Sequence, residues 1–127
     1  MGILYHGNYF RYFERARLTW LKDALNICYA DLERSQRALP LYHSEVSYKK
    51  PIYFGESLKI HVTIKQLRKA ALILAYEVID ADNFVRCCAT TSHSLCAKSI
   101  DLNGQVKWSP VRIPEEWRTK CLEFLKQ

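Results

Sequence analysis

From Asn8 onward, Tyr9, Phe13, Ala16 and Trp20 fall at i, i+4, i+7 and i+11, one face of an α-helix. Phe10, Leu21 and Ala24 widen that stripe, while Arg11, Glu14, Arg15, Arg17 and Lys22 fall mainly elsewhere. A stripe this aromatic must be pressed against another layer to leave water. Asn8 is a residue type that caps helices well, which puts the helix start beside it. The layer is supplied downstream. Leu58, Ile60, Val62 and Ile64 alternate with Lys59, His61, Thr63 and Lys65, the pattern of a half-buried strand. Leu72 to Ile79 reads as a second strand, fuller in apolar residues, and Val85 to Ala97 as a long third one. Tyr42 to Tyr48 is a strand leading in, stopped by Lys49-Lys50-Pro51.

Ala81-Asp82-Asn83 and Asp101-Leu102-Asn103-Gly104 read as turns. Residues 29–40 are mixed and polar, with a helical turn expected before Pro40, and Ile113-Pro114-Glu115-Glu116-Trp117 opens a final short helix with Pro114 in its first turn. One long helix, four successive strands at hairpin spacing and a short helix predict an α+β domain with an antiparallel sheet.

A chain of 127 residues is one domain by length, and 49% hydrophobic with 25% charged residues is a globular composition. The five cysteines, Cys28, Cys87, Cys88, Cys96 and Cys121, contain no CxxC pair. Metal-ligand spacing is absent, and the thiols read as small buried residues in a reducing compartment. There is no apolar run long enough to span a bilayer and no basic-then-apolar leader, so the expected location is cytoplasmic. A net charge of +6 suits an anionic partner: nucleic acid, an acidic membrane surface or a phosphorylated ligand. The eight tyrosines and three tryptophans come with no RNA-recognition signature, so core packing accounts for them and nucleic acid is not expected.

The stretch that carries chemistry is the opening one, Met1 to Arg17. It reads as an apolar run, a tight polar corner at His6-Gly7-Asn8, and a helix start. Free N–H groups at a helix N-terminus can polarise an acyl oxygen. An isolated His is commonly just exposed or cap-associated. A second basic feature, Lys65-Gln66-Leu67-Arg68-Lys69-Ala70-Ala71, looks like a strand end, a turn and a new strand. Adjacent cations there could grip phosphate or simply be solvated. His61 falls on a polar strand side. His43 and His93 lie within strands and read as structural, and Ser92 and Ser94 lack nucleophile-elbow glycines.

The opening segment resembles the one that follows the catalytic aspartate in hotdog-fold acyl-CoA thioesterases of the 4-hydroxybenzoyl-CoA thioesterase and Tol-Pal-associated type. Gly2, Ile3, Leu4, Tyr5, His6 and Tyr9 fit its Asp-x-x-Gly-hydrophobic-hydrophobic-Tyr-His-x-x-Tyr pattern. Tyr48-x-x-Pro51-x-x-x-Gly55-Glu56-x-Leu58 and Ile113-Pro114-Glu115-Glu116 extend the likeness along the chain. The resemblance implies a hotdog fold, an antiparallel sheet wrapped around one long helix, over residues 1–127. It implies an acyl-CoA thioester hydrolase that releases a carboxylate and free coenzyme A, with no metal or prosthetic group. The His6 N–H would hold the oxyanion, its ring would assist, Tyr5, Gly7 and Asn8 would shape the corner, and Arg68 and Lys69 would bind the nucleotide phosphates. Members assemble as homodimers or homotetramers with sites between subunits, which the apolar strands fit. The family's aspartate would lie two residues before Met1, so the expectation is a chain truncated at its N-terminus. Glu14 and Asp23 do not match its position. The rival expectation is a non-catalytic acyl-CoA-binding relative that lacks the carboxylate.

Overall fold

The computed structural model describes residues 7–53 and 55–125. Helix α1 spans Gly7–Leu25 and α2 Tyr29–Arg34. Strands β1 to β7 are Arg37–Ala38, Leu41–Tyr48, Lys59–Leu67, Ala71–Ile79, Val85–Ser94, Cys96–Ile100 and Val106–Pro110, and α3 is Glu115–Leu125. All strand pairs are antiparallel, in a four-stranded sheet ordered β2-β5-β4-β3 and a three-stranded sheet ordered β1-β6-β7. The larger sheet lies against α1, the hotdog arrangement that the resemblance implies.

The stripe that α1 buries is stricter than the apolar pattern suggests. Tyr9, Phe13, Leu21 and Leu25 are in the core, spaced by fours, and the residue at the centre of that series is Arg17. Arg17 was expected on the outer side; instead it is half-buried and donates from Nη1 to the Tyr76 hydroxyl at 3.3 Å. Ala16 and Trp20 are half-buried at the margin, and Phe10 is exposed. A drift of about 40° per four residues rotates the stripe across the sheet, which is why 17 and not 16 points inward. The helix ends where Asn26 takes a left-handed φ of 55°, its N–H returning to Lys22 and that of Ile27 to Leu21. Lys120 on α3 donates to the Leu25 carbonyl, and Phe124 packs on Trp20, so α3 closes that end.

Leu72, Leu74, Tyr76 and Val78 on β4 and Cys87, Ala89, Thr91 and His93 on β5 form the wall facing α1. The single strand expected from Val85 to Ala97 breaks at Leu95 and changes sheets. Opposite the break sits Leu39-Pro40, and Pro40 has no N–H to continue the ladder. Leu95 instead donates to the Ala70 carbonyl and accepts from the Val111 N–H. β7, beyond the turn at 101–104, and the two-residue β1 were not expected. Cys87, Cys96 and Cys121 are buried, Cys28 and Cys88 partly so, and all five are free thiols.

Candidate functional site

The first two turns of α1 wall a cavity of about 240 Å³. Tyr9 and Tyr12 line it from the helix, Ile60 and Val78 from the sheet, and Ile52, Tyr53, Gly55, Glu56 and Leu58 from the loop between β2 and β3. The lining is mostly apolar with few polar groups, as small-molecule sites commonly are. Tyr9 is fixed by an edge contact with Tyr48, ring centroids 5.0 Å apart, and by Phe13 behind it. Burial, then the neighbouring Cys87 and Tyr48, holds the Tyr9 phenol above its ordinary pKa, so it stays neutral. Its hydroxyl can orient an acyl group but is a poor base.

Glu56 is the carboxylate that lines this cavity, and both its oxygens are engaged. Oε2 accepts the Tyr53 N–H at 2.8 Å and Arg86 Nη1 at 3.2 Å, and Oε1 accepts Arg86 Nη2 at 2.7 Å. The Tyr53 N–H, then Arg86, keeps its pKa below the usual carboxylate value. A carboxylate so held is a weak proton acceptor. Other groups that could act are similarly quiet. Burial pushes the Cys87 thiol up to about 11, far from thiolate at neutral pH. His93 has both ring nitrogens bonded, to the Leu39 carbonyl at 3.2 Å and Thr91 Oγ1 at 2.9 Å, and burial with Arg17 nearby lowers it to about 4. It is structural, as expected, whereas His43 is exposed and bonds Glu45 at 3.1 Å. Among the described residues no three metal-ligating side chains converge.

Of the residues singled out from sequence, Tyr5 and His6 lie outside the described residues. Gly7 and Asn8 open α1, at the cavity end of the helix. Arg68 and Lys69 lie in the turn between β3 and β4 and are exposed. That turn is well braced: Arg68 closes it with its N–H on the Ala71 carbonyl, and its three carbonyls accept from Arg118 Nη1, the Ile113 N–H and the Leu95 N–H. It sits at the opposite end of β3 from Leu58 and the cavity. The nine residues of β3 put the two about 30 Å apart. One chain therefore does not bring its helix corner and its basic turn together. The β2–β3 loop and Arg86 were missed as site builders; the Gly55-Glu56 pair after Pro51 was the signal available.

The sequence profile of the thioesterase-like superfamily matches residues 1–120. The chain belongs to that superfamily. A Bacillus subtilis protein, YneP, provisionally named an acyl-CoA thioesterase, is 32% identical over 93 residues, 73% of this chain and 67% of its own length. An Aquifex aeolicus protein provisionally named an esterase is 30% identical over 125 residues, 98% of this chain and 86% of its own. The crystal structure of the DHNA-CoA thioesterase of Staphylococcus aureus superposes with a TM-score of 0.80 at 24% identity, covering 99% of this chain and 81% of that one. That likeness is one of fold. Among the described residues no helix is long and apolar enough to cross a membrane.

Proposed function

We propose that this protein hydrolyses acyl-CoA thioesters, and that the acyl group occupies the cavity beside the start of α1. The observation that carries the reading is the cavity's position, in a member of the thioesterase-like superfamily, at a helix N-terminus whose first N–H groups have no intrahelical acceptor. Those donors suit the oxygen of a thioester carbonyl as it gains charge. Water adds to the carbonyl carbon, the C–S bond breaks, one of the water protons leaves on the coenzyme A sulfur as the thiol, and the other passes to solvent as the acyl part becomes a carboxylate. His6 is the proposed oxyanion donor, through its N–H, with Tyr5, Gly7 and Asn8 shaping the corner. This is the arrangement of the 4-hydroxybenzoyl-CoA and Tol-Pal-associated type.

Arg68 and Lys69 are the proposed phosphate contacts. They lie about 30 Å from the cavity along β3, so in this reading the cavity of one copy works with the basic turn of a second. That calls for a homodimer or larger assembly with subunit-spanning sites. The reading is of a cytoplasmic enzyme that needs no metal or prosthetic group.

A second reading has its own support. Glu56, the carboxylate lining the cavity, is locked and acidic, which would suit a protein that binds acyl-CoA without hydrolysing it. Release of free thiol from hexanoyl-CoA or benzoyl-CoA separates the two. Turnover supports the enzyme; binding of acyl-CoA with no thiol release supports the binder. The oxyanion role is checked by His6→Ala, expected to retain measurable activity, against His6→Pro, which deletes the N–H and should lose about 10²–10³-fold in turnover. A folded His6→Pro variant with normal turnover removes His6 from the mechanism.

A further inference from the structure

The cavity's outer wall is a loop, and one residue outside the cavity holds both ends of it. Residues 49–58 supply Ile52, Tyr53, Gly55, Glu56 and Leu58, more than half of the lining. The loop's described residues belong to no helix and no multi-residue strand, and with a turn through Gly55 at φ +88° they have little reason of their own to keep one shape. Arg86, in the second position of β5, supplies that reason. Its carbonyl accepts the N–H groups of Lys49 at 2.9 Å and Lys50 at 3.2 Å, where the loop leaves β2. Its guanidinium donates to the Pro51 carbonyl at 2.6 Å and to both oxygens of Glu56. The remaining Nε donates to Asp80 Oδ2 at 2.7 Å.

Asp80 is itself fixed. Its other oxygen accepts the N–H groups of Asp82 and Phe84 and so caps the β4–β5 turn. Side-chain exposures of 16% for Arg86, 26% for Glu56 and 9% for Asp80 mean that water competes weakly for these bonds. Three nitrogens spread over a planar fork make these four bonds, and a lysine ammonium, with three donors on a single atom, cannot reproduce that spread.

We infer that Arg86 is a positioning residue that sets the shape of the cavity wall and thereby the site's selectivity for the acyl group. The inference rests on the thioester reading of the cavity. Among the hydrogen-bond partners of Arg86 in the described residues, Glu56 lines the cavity and the others hold the loop ends and the β4–β5 turn, so Arg86 acts through the loop.

The test compares wild type with Arg86→Lys, and with Asp80→Asn, which leaves an acceptor for the turn but weakens the grip on Arg86. Circular dichroism confirms that each variant folds. Amide hydrogen exchange of residues 52–58 should quicken in Arg86→Lys, with α1 and β4 unchanged. Affinity for S-hexyl-CoA, a thioether that cannot be hydrolysed, should fall about tenfold while that for free coenzyme A holds, a loss confined to the acyl end. With hexanoyl-CoA, KM should rise about tenfold at near-constant kcat, the mark of lost ground-state and transition-state binding alike. Acetyl-CoA, too short to reach the wall, should keep its kcat/KM. Asp80→Asn should move each value the same way by less. Equal losses for hexanoyl- and acetyl-CoA, or unchanged exchange in the loop, overturn the positioning role. A wild type that neither binds S-hexyl-CoA nor releases thiol instead overturns the thioester reading, and this inference with it.

Discussion

Two arginines divide the molecule. Arg17 lies between α1 and the sheet and meets phenols; Arg86 lies at the rim of the sheet and meets carboxylates. The bonds around Arg17 run one way. The Leu39 carbonyl can only accept, so His93 Nδ1 carries the proton and Nε2 accepts from Thr91. Thr91 then accepts from Tyr76, 2.7 Å away, and Tyr76 accepts from Arg17. Arg17 Nε, fully covered, has no partner among the described residues. At the rim every nitrogen of Arg86 has an acceptor. A carboxylate beside Arg17 would have to be stripped of water as well, a cost that the attraction often fails to offset. Neutral hydroxyls avoid that cost there, whereas at the rim carboxylates that keep part of their surface in water, 26% for Glu56 and 9% for Asp80, hold Arg86. The deep cluster thus seats the helix, and the rim cluster shapes a loop.

The contrast is broken most severely at Tyr76. Its ring packs on Phe13 at 4.9 Å between centroids and is 1% exposed. Tyr76→Ala should cost about 3–5 kcal/mol in urea unfolding, cavity and lost hydrogen bonds together. Tyr76→Phe, which strands Arg17 and Thr91, should cost about 1–3 kcal/mol. Glu56→Ala at the rim should barely move the midpoint. If Glu56→Ala unfolds the protein as readily as Tyr76→Ala, the two clusters are one structural unit and the division fails.

Acid separates the clusters next. His93 is held at about 4 in the folded chain, by burial first and Arg17 second, against 6.5 when free. The unfolded chain therefore binds the extra proton first. Stability from neutral His93 is whole above about pH 6.5 and falls as pH drops toward 4, by about 3 kcal/mol in total. Protonation would also turn Nε2 into a donor facing the Thr91 hydroxyl, reversing the Thr91–His93 and Tyr76–Thr91 bonds while Arg17 remains a donor to Tyr76. Asp80 and Glu56 have depressed pKa values, through backbone N–H groups of Phe84 and Tyr53 first and Arg86 after. Their contribution persists above the ordinary carboxylate range and is lost only as pH falls below it. Urea midpoints from pH 7 to 4.5 should drop in wild type and flatten in His93→Gln. An equal slope in both would remove His93 as the cause.

Which parts were legible in the sequence follows the same divide. Strand β3 was plain because Leu58 to Ile64 alternate, and α1 because its apolar residues share a face. Arg17 was misplaced because a period fitted to apolar residues cannot see a charge seated among them. The break at Leu95 was hidden because side-chain alternation continues through it; only backbone partners change, and Pro40, far off in sequence, forces that. β7 is exposed on most of its length and lacks the burial that makes alternation visible. The family motif pointed to the His6 corner, but the loop at 49–58 owes its shape to Arg86, a residue 35 positions from Pro51, and no local pattern records such a contact.

The smallest expected effect lies far from both arginines, at the β3–β4 turn. Arg68→Ala with Lys69→Ala removes two exposed charges and no packing, so folding stability should stay within about 0.5 kcal/mol of wild type. Free coenzyme A should bind a few-fold more weakly, and the loss should shrink as salt rises, since exposed ion contacts are screened beyond about 10 Å at 0.1 M. Pantetheine, which lacks the nucleotide phosphates, should bind both proteins alike. Equal weakening for both ligands would make the turn structural. The separation of about 30 Å along β3 adds a sharper demand. If the basic turn serves the cavity of another copy, a chain altered only at 68 and 69 and a chain altered only at Arg86 should rescue each other when refolded together. Mixed assemblies then contain one site with both parts intact, and that site should recover tight binding of S-hexyl-CoA. Mixing without recovery would confine each cavity to its own chain, and the phosphates would have to be held by cations nearer Tyr9 and Tyr12.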